Sequence, residues 1–333
     1  MKKTIFISVL ALAAAVSCTK SDIVDTKFEK EAIGFETYLG RDAQTKATVA
    51  TAESLQQSKG KGIGIYGFYT GTDPYSATTP ANILKNENLY YNNGWTYDNK
   101  AYWTNDKDNY TFFAYAPFGN ANVVASQTVA QTAQDVTKAP QVTYQVPSAL
   151  SDQVDLVYSN EQRGIHKKDV VKFTFNHALA RLSVKANATP YDNMKFTITN
   201  ISITGTFNTK GVFDLNVGDW IADQMVPGTA TYDLTGTVSQ ELGSESYNFS
   251  EKANNYLMMI PSNVSGATLT VSYKITYANA TSAVITKPVT ITNNFVKGNA
   301  YAINLTLSRD ESNAIAFGVE KVGGWGTESD VEI

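Results

Sequence analysis

Short runs in which apolar and polar residues alternate recur along almost the whole chain, each bounded by glycine, proline, asparagine or aspartate. Val171-Lys172-Phe173-Thr174-Phe175, Ala180 to Ala186, Leu269 to Tyr277 and Tyr301 to Leu307 are clear instances. A period of two sends successive side chains to opposite faces, which is the signature of a half-buried strand. The residues filling these runs are tyrosine, threonine, valine, isoleucine and phenylalanine, which fit a pleated surface. Further strands are read at Ala32 to Leu39, from Ile63, at Ala101 to Trp103, Tyr110 to Ala116, Val142 to Val146 and Asp155 to Tyr158. Later ones are Tyr256 to Ile260, Val284 to Ile291 and Ile315 to Val322. Asn93-Gly94, between Tyr91 and Trp95, is a hairpin signal, because both central residues of a type I′ turn need positive φ. Phe196 and Ile198 fall out of phase with Ile201 and Ile203, so a bulge is expected near Asn200. One short helix is read over Ala52 to Ser58, and a loop over Ala121 to Ala139. The expectation is an all-β chain of two β-sandwich domains, 31–166 and 167–333, divided at the charged break Arg163 to Asp169.

The N-terminus follows a different rule. Met1-Lys2-Lys3 precedes an apolar run from Thr4 to Val16 and then Ser17-Cys18. A basic start, about a dozen apolar residues and a small-residue exit make a secretory signal peptide over 1–17. The run is shorter than the roughly 20 residues that cross a bilayer as a helix. Ala15-Val16-Ser17-Cys18 resembles the lipobox of bacterial lipoproteins, with Ala15 where leucine is usual. That resemblance makes Cys18 the lipidated residue of an exported lipoprotein. Cys18 is also the one cysteine of the 333 residues, so no disulfide forms within the chain and burial alone must hold the fold. Residues 18–30, polar and charged, read as a tether.

Candidate chemistry is sparse. The chain has two histidines, His166 and His177, and neither has a histidine or cysteine at metal-ligand spacing. Asn105-Asp106-Lys107-Asp108-Asn109 lacks the glycine and glutamate of an EF-hand loop and reads as a solvated turn. Asp152 and Asp155 have no evident partner. No phosphate loop or nucleophile elbow is present. The reading therefore assigns no catalytic, metal or cofactor site. A net charge of −4 without a basic stripe gives no nucleic-acid surface. Tyr90, Tyr91, Trp95, Tyr97, Tyr102 and Trp103 crowd one hairpin region. They read either as core or, with Trp95 and Trp103 exposed, as a platform on which sugars stack.

Several stretches together resemble the fimbrillin-like family of Bacteroidales, the type V pilins. They are the lipobox start; Ile33-Gly34-Phe35-Glu36-Thr37 with the Arg41 to Thr48 loop; Gly94-Trp95-Thr96-Tyr97 with Tyr102-Trp103; and Phe112 to Pro117. Asp155 to Tyr158, Phe173 to Leu182 and Leu257 to Pro261 continue the match, so that it covers nearly the whole chain. The resemblance implies two tandem transthyretin-like β-sandwich domains in a structural subunit of a cell-surface fimbria that supports adhesion. It implies partners that are other pilin subunits, an outer-membrane attachment through lipid, and a host or bacterial surface ligand. It further implies cutting after Arg41, with Lys46 the nearby alternative, and release of the strand Ala32 to Leu39. A C-terminal strand from the next subunit would then fill the vacated groove, and Ile315, Phe317, Val319 and Val322 are its expected inward residues. Two alternatives stay open: an uncut anchor or tip subunit of the same pilus, and a surface glycan-binding lipoprotein.

Overall fold

The computed structural model describes residues 31–39, 52–104, 108–129, 137–159, 162–165, 170–189, 193–236, 239–253, 256–264, 266–291, 294–308 and 315–324. Residues Glu31 to Ile333 form one compact unit. Its first strands are β1 (Phe35–Leu39), β2 (Ile63–Gly71), β3 (Leu84–Tyr91), β4 (Trp95–Thr96), β5 (Asn109–Ala116), β6 (Val123–Ser126), β7 (Gln141–Gln145), β8 (Val157–Ser159), β9 (Gln162–Ile165) and β10 (Val171–His177). The one-turn helix α1 (Ala52–Leu55) lies between β1 and β2. Next come β11 (Ala180–Ala188), the 20-residue β12 (Lys195–Asp214), β13 (Asp219–Trp220), β14 (Val226–Asp233), β15 (Gln240–Leu242) and β16 (Tyr247–Asn248). Helix α2 (Phe249–Ala253) is followed by β17 (Leu257–Met259), β18 (Ser262–Asn263), β19 (Ala267–Thr276), β20 (Ser282–Ile291), β21 (Asn294–Phe295), β22 (Asn299–Leu307) and β23 (Ile315–Gly324).

Three larger sheets result. The first runs β1-β10-β8-β5-β2-β3-β4, with β9 beside β5. The second runs β16-β11-β22-β23, with β17 also on β11. The third runs β20-β19-β12-β7-β6, with β13, β14 and β15 on the long β12. A short pair, β18-β21, stands apart.

The centre of the first sheet is buried on both faces, and its sequence shows why. In β5 the residues Tyr110, Phe112, Ala114 and Ala116 enter one apolar cluster, while Phe113 and Tyr115 enter another. In β2, Ile63 and Ile65 join the first cluster and Tyr66 and Phe68 the second. The smaller cluster holds Ile33, Phe35, Leu55, Tyr97, Trp103, Val171, Phe173 and Phe175 as well. The larger one extends through β7, β11, β12, β19 and β22. Burying both faces of a strand needs an unbroken apolar run, which Tyr110 to Ala116 supplies apart from the buried Thr111.

The all-β expectation holds, and so do two local ones. The turn at Asn93 (φ 54°) and Gly94 (φ 150°) joins β3 to β4 with Tyr91 opposite Trp95. The register of β12 against β19 shifts between Ile198 and Asn200, where the hydrophobic phase changes. Other expectations need correcting. Val123–Ser126, inside the expected loop, is β6 and pairs with β7. Strands β13 to β16 lie where no strand is expected: β13, β15 and β16 are only two or three residues long, and β14, polar and largely exposed, carries little apolar alternation. The break at 166/167 does not separate the sheets. Strand β10 follows it yet lies in the first sheet, whereas β6 and β7 precede it and extend the sheet built on β12.

Candidate functional site

The N-terminal segment joins the fold at an edge. Ile33 N–H donates to the Ala101 carbonyl (2.9 Å), and Trp103 N–H donates to the Glu31 carbonyl (3.0 Å). These bonds surround an antiparallel bridge between Ala32 and Tyr102. Two residues on, the same segment becomes β1 and runs parallel to β10, with Phe35 opposite Val171 and Leu39 opposite Phe175. Val171 N–H donates to the Gly34 carbonyl (3.0 Å) at the changeover. One short extended segment thus staples the Ala101–Trp103 stretch to the outer edge of the first sheet.

Two of its apolar side chains go inward. Ile33 is 1% exposed and Phe35 5%. The Phe35 ring lies stacked on Phe173 (5.6 Å between centroids) and edge-on to Tyr97 (5.4 Å) and Phe112 (5.6 Å). Tyr97 Oη donates to the Ile33 carbonyl (2.9 Å), and burial pushes its phenol up to about 12. The outward residues are Glu36, 3.8 Å from Lys172, and the exposed Tyr38. Burying a valine-, leucine- or phenylalanine-sized side chain is worth about 1.5–3 kcal/mol. Withdrawal of this segment would open a groove lined by Tyr97, Phe112, Phe173 and the free edge of β10.

The covalent connection from this segment to α1 runs through residues 40–51, which lie outside the described residues, as do the expected processing positions Arg41 and Lys46. Cys18 and the whole of 1–30 lie outside them too. At the other terminus, β23 pairs antiparallel with β22 and is the outermost strand of the second sheet. Phe317 stands opposite Leu305, Val319 opposite Ile303 and Ile315 opposite Leu307. The side chains of Ile315, Phe317, Val319 and Val322 are outside the described set. Both terminal strands are therefore sheet edges, the positions from which a strand leaves or joins at least cost.

The aromatic hairpin divides. Tyr97 and Trp103 are core residues, the latter edge-on to Tyr110 at 4.7 Å. Tyr91 and Tyr102 are exposed, and Tyr91 meets Trp95 edge to face at 5.5 Å. An exposed pair of Trp95 and Trp103 does not form, because alternation along Ala101-Tyr102-Trp103 turns Trp103 inward.

His177, at the end of β10, places Nδ1 2.7 Å from Asp155 Oδ2, with both side chains nearly enclosed. Sequence reasoning does not pair them, since 22 residues separate them. The pair links the β8 approach to the end of β10. Among the described residues no three or more histidine, cysteine or acidic side chains are grouped to hold a metal. No described helix is long and apolar enough to cross a membrane.

Fold and edges together define an all-β protein whose N-terminal strand, at the edge of the first sheet, completes one of its apolar clusters. A family model described as fimbrillin-like matches residues 45–325, and the chain belongs to that family. It is 26% identical over 377 aligned residues to the fimbrium subunit Fim1C of Phocaeicola vulgatus, covering 98% of this chain and 97% of that protein. Its fold is similar to the crystal structure of a fimbrial protein from Bacteroides vulgatus, with TM-score 0.71, 21% identity, and coverage of 89% of this chain and 100% of that one.

Proposed function

We propose that this protein is a structural subunit of a cell-surface fimbria, exported as a lipoprotein through Cys18 and activated by cutting at Arg41 or Lys46. The observation that carries the proposal is the seating of the Ile33-to-Leu39 segment. It is an edge segment with two deeply buried anchors, and the chain that follows it carries Arg41 and Lys46. Cutting there converts a covalently tethered strand into one that can dissociate. The groove it leaves has unpaired backbone groups along β10 and exposed aromatic rings, which a strand from a second subunit can satisfy by β-augmentation. A donor edge at the opposite terminus makes the contact head-to-tail, and such a contact grows into a filament rather than closing on itself. The relatives' names, a fimbrium subunit and a fimbrial protein, support a fimbrial subunit, and assembly at the outer membrane with adhesion to a surface ligand belongs to the same proposal.

Trace trypsin on the purified mature protein tests this. The wild type is expected to be cut between Arg41 and Lys46 and to form SDS-resistant ladders, which Arg41→Ala/Lys46→Ala prevents. Resistance to cutting at Arg41 and Lys46, in a protein that stays monomeric, would make it an anchor or tip member of the same assembly.

A further inference from the structure

Among the described strands two pairs run parallel, β1 with β10 and β11 with β22. Only Ala178 and Leu179 lie between β10 and β11. Both are fully buried, and their backbone is tied from three sides. Ala178 N–H donates to the Leu156 carbonyl (2.8 Å), and Gly298 N–H donates to the Leu179 carbonyl (2.8 Å). Trp220 Nε1–H donates to the Ala178 carbonyl (2.7 Å). The crossover therefore has no slack.

Strands β11 and β22 stay in register over eight residue pairs, from Arg181 opposite Ala300 to Ala188 opposite Leu307. Backbone bonding continues past both ends. The Gly298–Leu179 bond lies beyond one, and Thr189 N–H donates to the Leu307 carbonyl (2.9 Å) beyond the other. Two side chains add bonds across the same strands. Ser183 Oγ donates to the Tyr301 carbonyl (3.1 Å), and Thr306 Oγ1 donates to Asn187 Oδ1 (2.8 Å). Leu182, Val184, Ile303 and Leu305 hold the pair on the larger apolar cluster.

Resting on the fimbrial reading above, we infer that the β11–β22 pair is a mechanical clamp that carries the fibre's tension through each subunit. Tension enters at β10, which borders the groove, and crosses the short tied link into Ala180, the N-terminal end of β11. It leaves after Leu307, the C-terminal end of β22, where the chain continues towards the C-terminal edge strand. Because the two strands are parallel, Ala180 and Leu307 lie at opposite ends of the pair. The two pulls then run along the strands in opposite directions. A parallel pair has evenly spaced bonds, so all of them share such a load and must yield together. Had β22 run antiparallel to β11, both pulls would meet at one end, and the bonds would open one at a time.

Single-molecule pulling on the full mature chain carrying Cys18→Ser tests the clamp. One chain is held through Thr174→Cys and Ser308→Cys, which loads the pair along its length. Another is held through Thr189→Cys and Ser308→Cys, which loads it at one end. The 174/308 unfolding force is expected to be about twice the 189/308 force or more, because forced unfolding follows the barrier of the imposed route. Ser183→Ala/Thr306→Val is expected to lower the 174/308 force by a larger fraction than the 189/308 force. An equal fractional loss in both directions would overturn the part of these two side chains in the clamp. A 174/308 force no higher than the 189/308 force would overturn the clamp itself and leave the fimbrial reading standing. Wild type that forms no SDS-resistant ladders after trace trypsin would remove the fibre and overturn both.

Discussion

Gly64 shows how closely single residues are constrained. It stands opposite Tyr115 across β2 and β5, and a Cβ built on it falls 2.2 Å from the tyrosine ring. The ring lies over the glycine because its hydroxyl reaches Asn86 Oδ1 at 2.9 Å. Gly64→Ala should therefore destabilise the protein by about 1–3 kcal/mol, as overpacking does, and a urea melt of the untrimmed chain measures it. Phe35→Ala should cost about 3–5 kcal/mol by emptying the site between Phe173, Tyr97 and Phe112. Tyr97 adds a pH dependence. Burial holds its folded-state phenol near 12, above the unfolded value of 10.0, so folding favours the neutral form. That contribution is complete below pH 10 and is lost as the pH climbs from 10 through 12. Burial raises Tyr66, Tyr115 and Tyr144 in the same direction. Urea midpoints should be level from pH 8 to about pH 10 and fall steeply above it; level midpoints up to pH 12 would contradict the burial argument.

At the scale of elements, much of the architecture was legible because a strand with one buried face advertises itself. The pattern Val171-Lys172-Phe173-Thr174-Phe175 gives buried and exposed residues in strict turn. The bulge in β12 was legible from a phase change alone. Strand β14 was not legible: only Tyr232 of its eight residues is buried, and its rungs against β12 are made by backbone and by hydroxyl pairs such as Thr204 and Thr231 at 2.8 Å. A strand held in that way has no apolar period to read. The same limit applies to the candidate site. Ile33 and Phe35 could be identified as inward residues, but alternation does not name the partner strand. Nothing local says that β1 pairs with β10, or that it does so in parallel. The turn between β3 and β4 offers a check at this scale. Asn93 has φ 54°, and Asn93→Val should weaken that hairpin, read as faster hydrogen exchange at Tyr91 and Trp95 with the rest of the chain unchanged.

For the whole molecule, the mixing of sheets governs how it should unfold. The larger apolar cluster contains Tyr66 and Tyr115 from the first half together with Leu182, Phe213, Leu269 and Ile303 from the second. Residues on both sides of 166/167 share that core, so the 31–333 unit should melt in one cooperative step. Neither half expressed alone should show it, since each would expose tyrosine and phenylalanine that the other covers. Differential scanning calorimetry with the two fragments as comparators decides this, and two separable transitions would favour independent domains. The sequence-level boundary rests on a cluster of charges, which carries no information about which strands later cross between sheets.

Strand β20 has a different bearing on assembly. It is the outer strand of the third sheet, largely solvent-exposed, and it carries Lys287 and Pro288 side by side at its middle. A proline lacks the N–H that a neighbouring strand would need, and a lysine on a rim repels an apolar newcomer. Fibres built from such a subunit are then not expected to fuse side by side through this edge.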